Sequence, residues 1–248
     1  METWRLISTF GAEPSFHMGL DEALLEDPAA PPTVRFYTWK PDTLSLGYFQ
    51  RLDEIPAATG GAGGRRPGAI VRRITGGGAI HHQHELTFSI VCSLAHPLYA
   101  GSIAESYERV HARIADALAE FGVASRPRGA ETLGSDLAGT GMCFHHSSAQ
   151  DLVWGGRKGV GSAQRRKHGR VLHHGSIKLG TTPLEGAIAT VREHARECTP
   201  ESLALALRRS LEAGLDWKLI PSVPDIVERD RARILGARYI DPEFVRRR

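Results

Sequence analysis

Cysteine is scarce in this chain, and its few cysteines lie far apart. The 248 residues include only Cys92, Cys143 and Cys198, and no two of them form a Cys-x-x-Cys pair. An odd number of distant cysteines argues against a disulfide framework and against a zinc knuckle. Free thiols suit a reducing compartment, so the sequence predicts a cytoplasmic protein.

Long apolar runs and a strong charge of either sign are also lacking. No stretch approaches the roughly 18 consecutive apolar residues of a membrane span, and the opening METWR does not resemble a secretory signal. Lys plus Arg is 31 and Asp plus Glu is 28, which gives a formal net charge of +3. That charge is too mild to indicate nucleic-acid binding. We therefore expect neither membrane nor nucleic acid as a partner, and Arg246–Arg248 is predicted to be a solvated tail.

The helix signals are strongest in the middle and near the end of the chain. Apolar residues step by three or four from Ile103 to Phe121, which predicts an amphipathic helix. A second helix is predicted to begin after Thr199 as N-cap and to end at Gly214. An opening helix is predicted with Ser15 as its N-cap. The whole segment 199–248 is expected to be helical.

Strand-like segments surround these helices without a βαβα rhythm, which predicts an α+β fold with a mixed, largely antiparallel sheet and flanking helices. Gly155-Gly156 predicts a two-residue hairpin. Residues 59–68 are glycine-rich and are predicted to form a flexible loop. We expect one catalytic domain over residues 1–248. The predicted strands are 34–39, 69–71, 86–91, 151–154, 157–160 and 171–177.

Three glycines directly after two arginines form the first segment that could carry chemistry, Arg72–Ala79 (RRITGGGA). Glycines let a backbone approach a ligand closely, and successive free N–H groups can hold an anion or a carbonyl oxygen. The segment lacks the spacing of a Walker A loop or of a dinucleotide-binding fingerprint. A tight turn with solvated arginines would give the same composition.

A lysine between glycines forms the second segment, Gly156–Gln164 (GRKGVGSAQ). Without bulky neighbours, the Lys158 ammonium could reach a carbonyl, phosphate or thioester oxygen as charge develops there. Ser162 does not lie in a Gly-x-Ser-x-Gly elbow, so a serine hydrolase is not indicated. The alternative is a surface hairpin with an exposed lysine.

Cys143 lies beside two histidines in Gly141–His146 (GMCFHH), a basic neighbourhood. Thiols near cationic groups ionise more readily, which favours Cys143 as the reactive cysteine. A small buried apolar residue is the alternative. Other histidines cluster at 81, 82, 84, 173 and 174, but adjacent strand residues face opposite ways and there is no His-Glu-x-x-His. We expect hydrogen-bonded histidines and no metal site.

In order along the chain, four segments resemble the lipoate–protein ligase and octanoyltransferase family of the biotin/lipoate protein-ligase superfamily. Trp4–Leu25 is similar to its opening helix and Arg35–Gln50 to its next strands. Arg72–Ile80 resembles its Arg-Arg-x-Ser/Thr-Gly-Gly-x-Ala-Val acyl-binding loop, and Lys158–Ser176 resembles its lysine loop and following strand. The resemblance covers roughly residues 4–180.

The resemblance implies a fold like the catalytic domain of biotin ligases and class II aminoacyl-tRNA synthetases. It also implies that Lys158 and Arg73 lie at the acyl carbonyl or adenylate, with the acyl chain in an apolar tunnel. Cys143 and Lys158 are the expected catalytic residues. The expected substrate-binding residues are Arg73, Gly76, Gly77, Gly78, Ala79, His82, Gly161, Ser162 and Ala163.

Within the family, Met142-Cys143-Phe144 stands where cysteine-dependent octanoyltransferases carry their cysteine. This resemblance implies an acyl carrier protein as donor, a Cys143 thioester, and a lysine of a lipoyl-carrier domain as acceptor. That domain would belong to the glycine cleavage H protein or to a 2-oxoacid dehydrogenase E2. Such a transferase needs no cofactor. We expect no additional C-terminal domain of the kind that many ligases carry.

Three departures from the family pattern keep two other functions open. His82-Gln83 replaces a common His-Asp pair, Gly78 is the form of the loop that is commoner in ligases, and the 59–68 insert is unusual. One alternative is an ATP- and Mg2+-dependent ligase that acts through lipoyl-AMP. The other is a non-catalytic paralogue that binds acyl groups or carriers, against which the presence of both Lys158 and Arg73 argues.

Overall fold

A mixed eight-stranded sheet forms the centre of the computed structural model, which describes residues 1–40, 42–60 and 66–247. The strands of the chain are β1 Glu2–Ala12, β2 Thr33–Trp39, β3 Thr43–Leu46, β4 Ala69–Arg72, β5 Ile80–His82, β6 Glu85–Ser93, β7 Arg126–Pro127, β8 Leu152–Trp154, β9 Arg157–Lys167, β10 Arg170–Lys178 and β11 Trp217–Ser222. The order in the large sheet is β11-β1-β2-β6-β10-β9-β8-β7. β1 is parallel to both neighbours, and the other pairings are antiparallel. The predicted α+β class with a largely antiparallel sheet is confirmed.

A small second sheet, in the order β4-β3-β5, carries the glycine-rich segment. β3 pairs in parallel with β4 and antiparallel with β5. Because β4 ends at Arg72 and β5 begins at Ile80, residues 73–79 must form the connection between the two edges of this sheet. The sheet therefore fixes both ends of the glycine loop, defined here as residues 73–79.

Helices cover both faces of the large sheet. They are α1 Pro14–Glu26, α2 Pro56–Thr59, α3 Ile103–Ala119, α4 Pro200–Leu215, α5 Ile226–Tyr239 and α6 Pro242–Arg246. On one face, Ile114 of α3 and Leu207 of α4 belong to the same core cluster as Phe88 of β6. On the other face, Leu24 of α1 packs in a separate cluster with Leu172 of β10. None of the helices in the described ranges is long and apolar enough to cross a membrane.

The helix ends confirm one capping prediction and correct two. Thr199 caps α4, since its hydroxyl accepts a hydrogen bond from the Ser202 N–H at 3.1 Å. The predicted stop at Gly214 is wrong, because the helix continues to Leu215 and ends at Asp216, whose φ is 54°. The predicted Ser15 cap is also wrong: α1 begins at Pro14, whose fixed φ suits a first turn.

The C-terminal segment is less helical and less solvated than expected. Residues 217–222 form β11, which pairs with β1, so the prediction of a wholly helical 199–248 is wrong. The predicted solvated arginine tail is correct for Arg246, which is exposed at the end of α6, and wrong for Arg247, which is half-buried and whose Nη2 donates to the Tyr48 hydroxyl at 2.7 Å. Arg248 lies outside the described residues, as do residues 61–65 of the predicted 59–68 loop.

Two glycines allow α1 and α5 to pack backbone against backbone. A Cβ on Gly236 would overlap with the backbone carbonyl of Ser15, and a Cβ on Gly19 would overlap with that of Ala232. We expect Gly236→Ala to lower the free energy of unfolding in urea, because overpacking costs about 1–3 kcal/mol and exceeds the gain of about 0.5–1 kcal/mol from a better helix former. Gly134→Ala is the control, since its Cβ would make only an ordinary contact. Unchanged or increased stability of Gly236→Ala would contradict this packing.

Candidate active site

The β8–β9 hairpin directs Lys158 into the protein. Gly155 and Gly156 form its turn with φ of 56° and 70°, the left-handed conformation that favours glycine in tight hairpins. Gly159 leaves space for the Trp154 ring, which a Cβ at that position would overlap. The predicted hairpin is confirmed, but the lysine is not on the surface.

Lys158 is a buried ammonium with all of its hydrogen-bonding capacity used. Its Nζ lies 2.8 Å from Asp151 Oδ2 and donates to the carbonyls of Cys143 at 2.9 Å and His146 at 3.1 Å. The Cys143 Sγ is 3.4 Å away. Burial alone lowers the pKa of Lys158, but the Cys143 thiol and the Asp151 carboxylate hold the pKa above its ordinary value. The site therefore contains a fixed positive charge beside the sulfur.

The glycine loop holds the segment that carries Cys143. The Cys143 N–H donates to the carbonyl of Ala79 at 2.7 Å, and the Ala79 N–H donates to the carbonyl of Gly141 at 2.8 Å. A Cβ on Gly78 would lie 2.7 Å from the Cys143 nitrogen. Glycine at position 78 is therefore needed here for the two backbones to meet.

Cys143 differs from the other two cysteines in exposure and environment. Its side chain is partly exposed, whereas Cys92 and Cys198 are buried. Burial raises the pKa of the Cys92 thiol to about 12 and also raises that of Cys198. Only Cys143 combines access with a neighbouring cation among these thiols.

Arg73 is buried, and its hydrogen bonds organise the glycine loop. Its Nη2 donates to the carbonyls of Gly76 at 2.8 Å and Gly78 at 2.7 Å, and its Nη1 donates to the carbonyl of Ser45 at 3.1 Å. Burial lowers the pKa of Arg73 to about 10. The side chain is 4% exposed, so the alternative of a tight turn with solvated arginines is wrong.

Arg72 is equally buried but faces the C-terminal helix. Its guanidinium donates to the carbonyls of Gly47 at 2.9 Å and Gln50 at 2.6 Å, and on its other side to those of Phe244 at 3.0 Å and Val245 at 2.5 Å. One side chain therefore ties the 47–50 loop to α6 immediately beside the glycine loop.

Two carboxylate–imidazole–hydroxyl chains meet at Arg73. In the first, Glu85 accepts from His82 Nδ1 at 2.5 Å, and His82 Nε2 lies 2.7 Å from Ser45 Oγ. Because a carboxylate can only accept, Nε2 must accept from the Ser45 hydroxyl. Ser45 Oγ in turn accepts from Arg73 Nη1 at 3.2 Å. Burial lowers the pKa of His82 to about 4, so this imidazole is neutral at neutral pH.

The second chain has the same order of groups. Asp21 Oδ2 lies 3.3 Å from His174 Nδ1, and His174 Nε2 lies 2.7 Å from Thr75 Oγ1. Thr75 Oγ1 accepts from Arg73 Nε at 3.2 Å. Arg73 thus reaches two buried carboxylates through imidazole and hydroxyl groups, and within the described residues it forms no direct ion pair with either. His174, Asp21 and Glu85 were not predicted as site residues, since their roles depend on contacts between distant segments.

An apolar cavity adjoins these groups and ends at the thiol. It lies between β2, the glycine loop and the β9–β10 pair, and carbon atoms make up most of its lining. The sequence missed Met18, Tyr37, Trp39 and Thr87, which also line it. Of the predicted residues, those that line the cavity are Arg73, Gly76, Gly77, His82, Cys143, Gly161, Ser162 and Ala163, whereas Gly78, Ala79 and Lys158 support it from outside.

Ser162 lines the cavity, but its hydroxyl faces the other way. Alternate residues of a strand face opposite sides of a sheet; a Cβ on Gly161 would lie 3.3 Å from Cys143 Sγ. The Ser162 Oγ instead contacts His111 Nε2 at 2.7 Å and His173 Nε2 at 3.0 Å. A substrate contact by this hydroxyl, as implied by the predicted binding role, does not fit this orientation.

The clustered histidines are engaged in hydrogen bonds rather than grouped as ligands. His81 Nε2 lies 2.9 Å from Asp42, and His173 and His82 have the partners described above. In residues 1–40, 42–60 and 66–247, no three His, Cys, Asp or Glu side chains form a group that could hold a metal ion.

Comparisons with known proteins agree with this arrangement. A family model described as the lipoyl protein ligase A/B catalytic domain matches residues 13–209. Octanoyltransferase LipM of Moorella thermoacetica is 44% identical over 182 residues, 72% of this chain and 66% of that protein. Octanoyltransferase LipM of Macrococcus caseolyticus is 32% identical over 279 residues, 100% of this chain and 99% of that protein.

A solved structure shares the fold. It contains an archaeal bi-partite lipoate protein ligase and its E2 lipoyl domain from Thermoplasma acidophilum, with a TM-score of 0.77 and 20% identity over 100% of this chain and 98% of that chain. The chain belongs to the lipoyl protein ligase A/B catalytic domain family, as its ordered motifs predicted.

The environments of the three thiols predict selective alkylation. We expect iodoacetamide at pH 7 to modify Cys143 and to leave Cys92 and Cys198 intact, because the last two are buried with raised pKa values and the thiolate is the nucleophile. Intact mass followed by peptide mapping measures the sites, and urea-unfolded protein, in which all three should react, is the control. Equal labelling of Cys92 and Cys143 in the folded protein would refute the assignment.

Proposed function

We propose that this protein is an octanoyltransferase of protein lipoylation, which moves an octanoyl group from an acyl carrier protein through Cys143 to a lysine of a lipoyl-carrier domain. The acceptor would be the glycine cleavage H protein or a 2-oxoacid dehydrogenase E2. The observation that carries the proposal is the 3.4 Å approach of the Lys158 ammonium to Cys143 Sγ at the end of an apolar cavity. Relatives named octanoyltransferase support it.

In the first step, Cys143 Sγ attacks the carbonyl carbon of the donor thioester. A new bond forms between Sγ and the acyl carbon, the bond to the donor sulfur breaks, and the donor thiolate takes up the proton that Cys143 gave up. Lys158 stabilises negative charge on Sγ before the attack, and its fixed position requires little reorganisation during it. Asp151, at 2.8 Å, keeps Lys158 charged.

In the second step, the acceptor lysine loses a proton and its amine attacks the same carbon. The carbon–nitrogen bond forms as the carbon–Sγ bond breaks, the nitrogen gives up a second proton to solvent, and the Cys143 thiolate is released beside Lys158. A thioester keeps the acyl group activated between the steps, so neither step needs ATP. This route accounts for a nucleophile placed inside the acyl cavity.

The cavity walls support a medium-length, apolar acyl chain. Trp39 and His82 stack with ring centroids 3.9 Å apart, and Trp39 Nε1 donates to Thr87 Oγ1 at 2.8 Å. These hydrogen bonds satisfy the polar atoms of the wall within the protein, so the surface offered to the chain is mainly carbon. Octanoyl is the proposed group, and lipoyl is the alternative of similar length.

An ATP-dependent lipoate ligase is the second candidate, since the solved neighbour with this fold is a lipoate protein ligase. A ligase would need ATP and Mg2+ and would form lipoyl-AMP, whereas the proposed transferase needs no cofactor. A ligase mechanism leaves the cavity-facing thiol of Cys143 without a role, which favours the transferase. A non-catalytic binding protein is disfavoured by the same thiol and ammonium.

Cys143→Ser separates these candidates. Wild type mixed with octanoyl-carrier and no acceptor should gain one octanoyl mass that hydroxylamine removes, and Cys143→Ser should transfer slower by orders of magnitude because a hydroxyl is a much weaker nucleophile. Intact mass spectrometry measures the adduct, and Cys198→Ala is the matched control that should retain it. Full activity of Cys143→Ser with strict dependence on ATP and Mg2+ would establish the ligase instead.

Lys158 should affect both catalysis and stability. Because Lys158 is only 2% exposed, Lys158→Ala leaves Asp151 buried without its partner, which costs about 3–5 kcal/mol of stability. The double variant Lys158→Met, Asp151→Asn removes both charges and should retain more stability, yet lose roughly 10²–10³-fold in rate, as for a lost oxyanion donor. Urea unfolding and the rate of acyl-enzyme formation measure the two effects. Near-wild-type rates in the double variant would exclude Lys158 from the mechanism.

A further inference from the structure

A second cleft continues from the acyl cavity along the same face of β9. Gly161 and Ala163 line the acyl cavity, whereas Arg165 and Lys167 line the cleft. Alternate residues of a strand share a face and rise about 3.3 Å each, so Arg165 lies roughly 13 Å along the strand from Gly161. Ile74, which lies between the cavity-lining loop residues Arg73 and Gly76, also lines the cleft. The cleft therefore neighbours the site that contains Cys143 along both β9 and the glycine loop.

Two of the four cations in the cleft are already neutralised. Lys167 Nζ lies 2.5 Å from a Glu26 carboxylate oxygen, and Arg238 Nη2 lies 2.6 Å from Glu22 Oε1. The other oxygen of Glu22 accepts from the Tyr239 hydroxyl at 2.8 Å. Both acidic side chains of the cleft are therefore engaged with their own partners.

The remaining two cations have no carboxylate partner in the part of the chain that the structure describes. Arg165 and Arg247 both lie against the ring of Tyr48, with guanidinium carbons 5.7 Å and 4.4 Å from its centroid. Arg247 also donates to the Tyr48 hydroxyl at 2.7 Å, which fixes its position. The pKa of the adjacent Arg72 is lowered by burial and then by the charge of Arg247. Two guanidinium groups thus line one cleft, each in contact with Tyr48 and neither paired with a carboxylate of the described residues.

We propose that this cleft, lined by Tyr48, Arg165 and Arg247, binds the phosphate group of the prosthetic arm that presents the acyl thioester. The inference rests on the proposed function, because it assigns the cleft to the same donor. A guanidinium group matches the oxygen atoms of a phosphate with forked, charge-assisted hydrogen bonds, and this cleft offers two that no carboxylate of the described residues occupies. A thioester placed at Cys143 leads its sulfur and arm away from the acyl cavity, and the β9 face leads to this cleft. A nucleotide phosphate would have the same chemistry, and the experiment below distinguishes it.

Two synthetic donors that differ by one phosphate test this proposal: octanoyl-pantetheine and octanoyl-4′-phosphopantetheine. Wild type should acylate Cys143 with a kcat/KM about tenfold higher for the phosphorylated donor, the factor that one charge-assisted hydrogen bond supplies. The ratio of kcat/KM for the phosphorylated donor to kcat/KM for the unphosphorylated donor should fall toward one in Arg165→Ala and in Arg247→Ala. Arg165→Lys should retain part of this preference. Arg233→Ala, which removes an exposed guanidinium 78% accessible on α5, is the control and should keep the ratio.

Calorimetric binding of the two arms without their acyl group gives a readout that does not depend on transfer. We expect 4′-phosphopantetheine to bind more tightly than pantetheine and also more tightly than AMP. The assignment would be overturned if the phosphate changed neither kcat/KM nor affinity in wild type. It would also be overturned if Arg165→Ala kept the full preference for the phosphorylated ligand. Tighter binding of AMP would assign the cleft to a nucleotide. Absence of Cys143 acylation by either donor would count against the proposed function alone, since calorimetry still decides the phosphate preference.

Discussion

The burial of two adjacent arginines is the constraint on which the rest of the site depends. Arg72 and Arg73 are buried with no direct carboxylate partner among the residues that the structure describes, and each is held by backbone carbonyls. A buried charge is tolerated only if its donors are satisfied. The carbonyls that satisfy them belong to the glycine loop, the 47–50 loop and α6, so these segments cannot move independently. The two buried arginines therefore fix the backbone of the glycine loop, the 47–50 loop and α6 relative to one another.

The backbone geometry of the glycine loop helps to set the distance between Cys143 Sγ and Lys158 Nζ. The loop carbonyl of Ala79 holds the Cys143 backbone, and the β8–β9 hairpin independently delivers Lys158 from the other side. Gly161 leaves the space in which the two side chains meet, because a Cβ there would lie 2.8 Å from Lys158 Cε. Catalytic groups from two separately braced segments need no rearrangement to act, which is the advantage of a preorganised site.

Local patterns predicted the parts of the site that depend on local structure. Gly155-Gly156 predicted the hairpin, and the ordered motifs predicted the family and the glycines that line the cavity, namely Gly76, Gly77 and Gly161. The direction of Ser162 could have been inferred from strand alternation, given that Gly161 faces the sulfur. The two hydrogen-bonded carboxylate–imidazole–hydroxyl chains that end at Arg73 could not have been inferred from the sequence. Their members Asp21, Glu85 and His174 become neighbours only when the sheet forms. β11 was missed for a related reason: its pairing with β1 joins residues more than 200 positions apart.

This last pairing has a consequence for how the chain reaches its folded state. β1 is an interior strand with parallel neighbours on both sides, yet its β11 partner is synthesised more than 200 residues after it. Until residues 217–222 are available, one edge of β1 presents unpaired backbone groups, which is the condition under which strands associate between chains. Parallel pairing over such a separation also closes a long loop and slows folding. The nascent chain therefore carries an unpaired edge at β1 until β11 is present, and this risk of association between chains arises outside the segments that build the candidate active site.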